Sequence, residues 1–149
     1  MILESCKFGH PQRWILYGAV VMPDHVHMLL RPQVIKWIAA DSCANGGAAD
    51  LSREPRWMSL SEIVKSIKSV TARGINRLRG KKSGSIWQDD YYDREVRDGD
   101  DWMVKVEYLR QNPVKAGLVE EAEKWDALWV AKENMGARLT PGAMIDNQE

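Results

Sequence analysis

The sequence predicts an α+β domain assembled from a β-hairpin and two amphipathic helices, and three stretches carry that prediction. Trp14-Ile15-Leu16-Tyr17-Gly18-Ala19-Val20-Val21 is rich in aromatic and β-branched residues, and after a turn at Pro23-Asp24 the run His25 to Arg31 returns beside it. From Leu60 onward apolar residues recur every three to four positions. A second helical stretch follows Asp98-Gly99. At 149 residues the chain suits one domain, 1–149, with a single core.

Composition narrows the class. Apolar residues at 44% and charged residues at 28% are ordinary for a soluble globular protein. Cys6 and Cys43 make no disulfide framework and match no zinc spacing, which points to a reducing cytoplasm. No signal segment opens the chain and no apolar run is long enough for a bilayer, so no membrane partner is expected. The formal charge is zero, so a nucleic-acid partner has to be argued from where the charges fall.

In chain order, Ile2 to Gly9 reads as the tail of a helix capped by Gly9. The hairpin follows, closed by Pro32. Its second strand carries His25 and His27, whose spacing puts both imidazoles on one face and Val26 on the other. Residues 33–58 read as a long loop or insertion, because the small residues from Ala39 to Ala49 lack periodicity. Ser59 and Glu62 then have capping-box spacing. Leu60, Ile63, Val64, Ile67, Val70, Ile75 and Leu78 form the core stripe of the helix they open.

Lys65, Lys68, Arg73 and Arg77 lie off that stripe, and Lys81 and Lys82 continue the positive run into a Gly-Lys-Lys-Ser-Gly loop. A charged helix face is usually just solvated; charge of one sign running on into a loop favours a phosphate-binding surface. Ser85 to Gln88 and Tyr91 to Val96 read as a strand or a bent pair of strands. Asp100 and Asp101 suit a helix N-terminus, and that helix is expected to stop near Asn112, before Pro113. Pro113 would open a short second turn ended by Gly117. Trp125, Leu128 and Trp129 read as a short packed helix, and residues from about 134 to 149 as a loose tail.

The chemistry centres on His25 and His27. Two imidazoles on a strand can hold a divalent cation, although a bare His-x-His is more often solvated or hydrogen-bonded. Tyr108 and Asn112 are four residues apart and share a helix face. The amide oxygen of Asn112 is an acceptable third ligand, and Tyr108 offers a phenol as nucleophile. A cation would neutralise and orient a phosphate there, helping a phenol whose type has a pKa near ~10. The bland readings are a core tyrosine at 108 and an N-cap at Asn112.

These residues lie in blocks that resemble a known family. Val-Val-Met-Pro-Asp-His-Val-His-Met-Leu-Leu at 20–30 is similar to the histidine–hydrophobic–histidine (HUH) motif of single-tyrosine transposases, in particular the REP-associated tyrosine transposases. Ser66 to Arg73, Ile86-Trp87-Gln88 with Tyr91-Tyr92-Asp93, and Val106 to Val119 resemble the later blocks of that family in the same order. The resemblance implies a ferredoxin-like, RNA-recognition-like antiparallel sheet with helices packed on one face. It implies Mg²⁺ or Mn²⁺ on His25, His27 and Asn112, and Tyr108 as the nucleophile that cuts single-stranded or hairpin DNA. The products would be a 5′-phosphotyrosine and a free 3′-hydroxyl.

In such an enzyme Lys65, Lys68, Arg73, Arg77, Lys81 and Lys82 would track the DNA phosphates, with the protein acting as a monomer or homodimer. The family has an earlier strand, before the helix that ends near His10, and this chain begins after it. An exposed sheet edge or a substitute strand is therefore expected. Two other readings stay open: a module that binds single-stranded or hairpin nucleic acid without cutting it, and a structural zinc protein.

Overall fold

The computed structural model describes residues 1–39, 53–131 and 142–146. They form a mixed α+β structure in the order α1 (Ile2–Phe8), β1 (Trp14–Val21), β2 (Val26–Pro32), β3 (Val34–Ala39), β4 (Arg53–Trp57), α2 (Leu60–Leu78), β5 (Tyr92–Val96) and α3 (Gly99–Lys115). A 3₁₀ turn (Ala122–Lys124), β6 (Leu128–Val130) and β7 (Gly142–Asp146) follow. Five strands make an antiparallel sheet in the order β5-β7-β2-β1-β6, and β3 and β4 pair as a separate ribbon. Among the described residues no helix is long and apolar enough to cross a membrane.

The hairpin forms where the alternation places it, with Trp14 opposite Pro32 and Val21 opposite Val26. The register shifts between Leu16 and Gly18, so a bulge lets Leu16 and Ala19 face the same way. One face of the sheet carries Trp14, Leu16, Ala19, Val26, Met28 and Leu30, packed on Cys6 of α1 and on Ile63, Val64 and Ile67 of α2. The other carries Tyr17, Val20 and Leu29, packed on Trp102, Val106 and Leu109 of α3. Helices therefore cover both faces, not one as expected. The cause is in β2, where Met28 and Leu30 point one way and Leu29 the other, so neither face can be left to water.

Four other expectations are corrected. The segment 33–58 contains β3 and β4, with Trp37 opposite Pro55 in the ladder, while residues 40–52, which include most of the small residues behind the loop reading, lie outside the described residues. A two-stranded ribbon is all edge, which is where a strand proline is tolerated. Ser85 to Gln88 is not a strand; only Tyr92–Val96 joins the sheet. The stretch 122–130 gives a 3₁₀ turn and then β6, which pairs with β1 through Gly18, Ala19 and Val20. Within the stretch read as a loose tail, Gly142–Asp146 inserts between β2 and β5, antiparallel to both, while residues 134–141 and 147–149 lie outside the described residues. It supplies the partner that two rows of backbone N–H and C=O groups need.

Both long helices start as their sequences dictate. The Ser59 amide donates to Glu62 Oε2 at 2.8 Å, and the Glu62 amide donates back to Ser59 Oγ at 3.3 Å. In α2 the buried line runs Ile63, Val64, Ile67, Thr71 and Asn76, whereas Val70 and Leu78 are exposed. Asp98 caps α3 by accepting from the Asp101 amide at 2.8 Å. That helix does not stop at Asn112. It continues through Pro113, which is buried, at the loss of one bond to the Leu109 carbonyl. Gly117, at φ +68°, then ends it in a Schellman motif: Leu118 N–H donates to Pro113 C=O and Gly117 N–H to Val114 C=O, each at 2.9 Å.

Candidate metal and nucleophile site

The hairpin turn, the second strand and the third helix meet on the α3 face of the sheet. Val26 and Met28 face α2, so strand alternation turns His25 and His27 toward α3. His27 is fully buried and His25 partly so. Their Nε2 atoms face each other at 3.0 Å, and the rings are nearly perpendicular. From α3, Tyr108 presents its ring edge-to-face to His27, with centroids 5.4 Å apart. Distant parts of the chain thus bring His25, His27 and Tyr108 together.

Asn112 lies one turn further along α3 and is partly buried. Its Nδ2 donates to the Tyr108 carbonyl at 2.8 Å, so the amide is held along its own helix with the donor end committed. The acceptor end, Oδ1, is the part a cation could use. The N-cap alternative does not hold, because Asn112 is inside a continuous helix.

Two side chains that the sequence did not single out belong to this neighbourhood. Asp24, in the hairpin turn, accepts from His25 Nδ1 at 2.6 Å. That hydrogen bond holds its carboxyl below the usual carboxylate range. Lys115 places its ammonium 5.7 Å from the centre of the Tyr108 ring. The signals were adjacency to His25 and the seven-residue spacing from Tyr108, two helical turns on one face. The third histidine, His10, lies elsewhere and accepts from the Leu16 amide at 3.2 Å.

The donor set fits a divalent cation in chemistry. The two Nε2 atoms lie at hydrogen-bonding distance, 3.0 Å, one donating and the other accepting; as neutral imidazoles both could instead turn lone pairs to a divalent cation. Among the described residues no group of three or more His, Cys, Asp or Glu is disposed to hold a metal. Asn112 donates to its own helix, and its amide oxygen is of a type that a hard cation accepts.

The basic residues stand apart from this cluster. Lys65, Arg73 and Arg77 are exposed on α2, and Lys81 and Lys82 are exposed just after it, on the helix that covers the opposite face of the sheet. Arg73 donates to Ser69 Oγ at 2.6 Å. Lys68 differs: its ammonium donates to the carbonyls of Gln88 at 2.7 Å and Asp90 at 3.0 Å, and burial lowers its pKa. It anchors the segment after Gly84, together with Trp87 Nε1–H on Thr71 Oγ1 at 2.9 Å and Asn76 Nδ2 on the Gly84 carbonyl at 2.9 Å. Trp87 and Tyr91 pack on the α2-side core, and between α2 and this segment lies a cleft of about 430 Å³ that Lys65 lines.

Cys6 is buried, and burial pushes its thiol up to about 12, which makes it an inert core residue. Cys43 lies outside the described residues. No family model matches the chain, and no curated protein or solved structure matches it significantly.

Proposed function

We propose that the protein is a metal-dependent transposase-like enzyme that cleaves and rejoins single-stranded DNA at hairpin-forming sequences, on a ferredoxin-like HUH scaffold. The observation that carries this reading is the Tyr108 ring against His27, itself paired with His25. The antiparallel order β5-β7-β2-β1-β6, with the histidine-bearing β2 in the middle, supports it.

In the reaction, the Tyr108 oxygen attacks a backbone phosphorus and gives up its proton. The bond from phosphorus to the 3′ oxygen breaks, the strand's 5′ phosphate stays on tyrosine, and the 3′ oxygen takes a proton and leaves as a hydroxyl. Attack by a 3′-hydroxyl on the phosphotyrosine reverses these steps and joins strands. His25, His27 and the Asn112 oxygen would hold Mg²⁺ or Mn²⁺, which when bound would supply charge neutralisation at the phosphate. Lys115 adds a positive charge beside the same phenol. Lys65, Arg73, Arg77, Lys81 and Lys82 hold DNA across the sheet, and Lys68 serves that surface by fixing its shape.

The separation of α2 from Tyr108 favours one second reading: the basic face binds nucleic acid and the histidine face does no chemistry. Incubation with Mn²⁺ and a pool of single-stranded hairpin oligonucleotides separates the two. A covalent protein–DNA adduct, absent in Tyr108→Phe, supports the enzyme. Binding that survives both chelation and Tyr108→Phe, with no adduct from any oligonucleotide, supports the module.

A further inference from the structure

We infer that Asp24 is a positioning residue of the cation site, fixing His25 in the tautomer that aims Nε2 at the cation; this rests on the metal reading above. The carboxylate oxygen lies 2.6 Å from His25 Nδ1. An ionised carboxylate can only accept, so Nδ1 must carry the proton. In neutral imidazole the other nitrogen then bears the lone pair, and that nitrogen, Nε2, faces His27 Nε2 at 3.0 Å. The chain runs carboxylate, imidazole, site, which is the arrangement that orients metal-binding histidines and raises their basicity.

The hairpin turn makes this geometry. Met22 N–H donates to His25 C=O at 2.8 Å, closing the turn with Asp24 inside it. The Asp24 side chain is largely exposed, at 63%, while that of His25 is at 20%. The carboxylate therefore sits at the rim and the imidazole reaches inward. Asp24 contributes no core packing, so its removal need not disturb the fold.

The test uses Asp24→Ala and Asp24→Asn in the full chain. Mn²⁺ affinity is read by calorimetry, and the His25 tautomer by ¹⁵N NMR of metal-free protein. Asp24→Ala is expected to weaken Mn²⁺ binding roughly 10- to 100-fold and to let His25 populate the Nε2–H form. Asp24→Asn keeps an acceptor oxygen and suits the same turn, so it should lose less affinity and keep the Nδ1–H form. Unchanged Mn²⁺ affinity in folded Asp24→Ala, or Nε2–H as the main form in wild type, overturns the role of Asp24 and leaves the cation site standing. Wild-type protein that takes up no Mn²⁺ overturns both. A purely structural turn residue would lower the unfolding midpoint without moving the tautomer, and that result also counts against the inference.

Discussion

Tyr108 on α3 and His27 on β2 meet edge-to-face, with ring centroids 5.4 Å apart. The contact does two things at once. It holds a phenol-bearing ring beside an imidazole, and it ties the third helix to the middle of the sheet.

Those two roles separate in Tyr108→Phe. The phenyl ring keeps the contact with His27, so stability should fall less than in Tyr108→Ala, while adduct formation with single-stranded DNA should vanish. Tyr108→Ala removes the ring as well and should destabilise by about 1–3 kcal/mol. Denaturant unfolding of both variants beside a gel-shift adduct assay measures the pair.

His25→Ala should abolish cleavage and leave DNA affinity within a few-fold of wild type, because phosphate contacts dominate binding. His27→Ala is a poorer probe. His27 is fully buried, and its loss should destabilise by about 2 kcal/mol through the space left behind. Equal loss of binding and cleavage in His25→Ala would contradict the division of labour between the two faces.

Removing Arg73, Arg77, Lys81 and Lys82 together should flatten the salt dependence of single-stranded DNA binding. Every phosphate left without its cationic partner takes about 0.7 from the slope of log K against log salt. Lys68→Met should behave differently. It removes the donor shared by the exposed carbonyls of Gln88 and Asp90, which water can partly replace, costing about 0.5–1.5 kcal/mol and loosening the cleft. A salt slope that falls as much for Lys68→Met as for an exposed lysine would return Lys68 to the phosphate-binding set.

Glu62 gives the stability a dependence on pH. Its carboxyl is held below the ordinary 4.5, first by the Ser59 amide and then by the Ser59 hydroxyl. The folded pKa is depressed, so the charged form stabilises the fold above 4.5 and that contribution fades as pH falls through the lower folded value. Glu62→Ala should therefore unfold at lower temperature than wild type at pH 7, with the gap closing in acid.

Met144→Pro tests β7, which lies between β5 and β2. Met144 is paired with Leu29 on one side and Arg94 on the other. Proline there removes a ladder hydrogen bond and should cost on the order of 3 kcal/mol. An unchanged urea midpoint would mean that β7 contributes nothing to the sheet.

What the sequence made legible was local. The hairpin, the Ser59–Glu62 box and the acidic start of α3 are each set by neighbours a few residues apart, so pattern reading finds them. The histidine–tyrosine meeting was legible through the resemblance of several blocks in order, since spacing alone leaves Tyr108 an ordinary core residue. Three-residue β6 and five-residue β7 are too short to show a period, and only the unpaired edges of β1, β2 and β5 explain them. The two-faced burial of β2 was present in Met28-Leu29-Leu30, an unbroken apolar run with cover on both sides. Lys68 looked like its basic neighbours because sequence records charge and not the carbonyls that surround it.

β7 follows every other described strand in the chain, yet it lies directly beside the strand that carries His27. During synthesis at about 5–20 residues per second, the ribosome releases β2 long before its neighbour exists. The histidine strand must wait with one margin open, and the interior of the sheet closes only when residues 142–146 thread back into it. A chain cut short before Gly142 would carry every proposed ligand and the nucleophile, and still lack the wall that stands next to them.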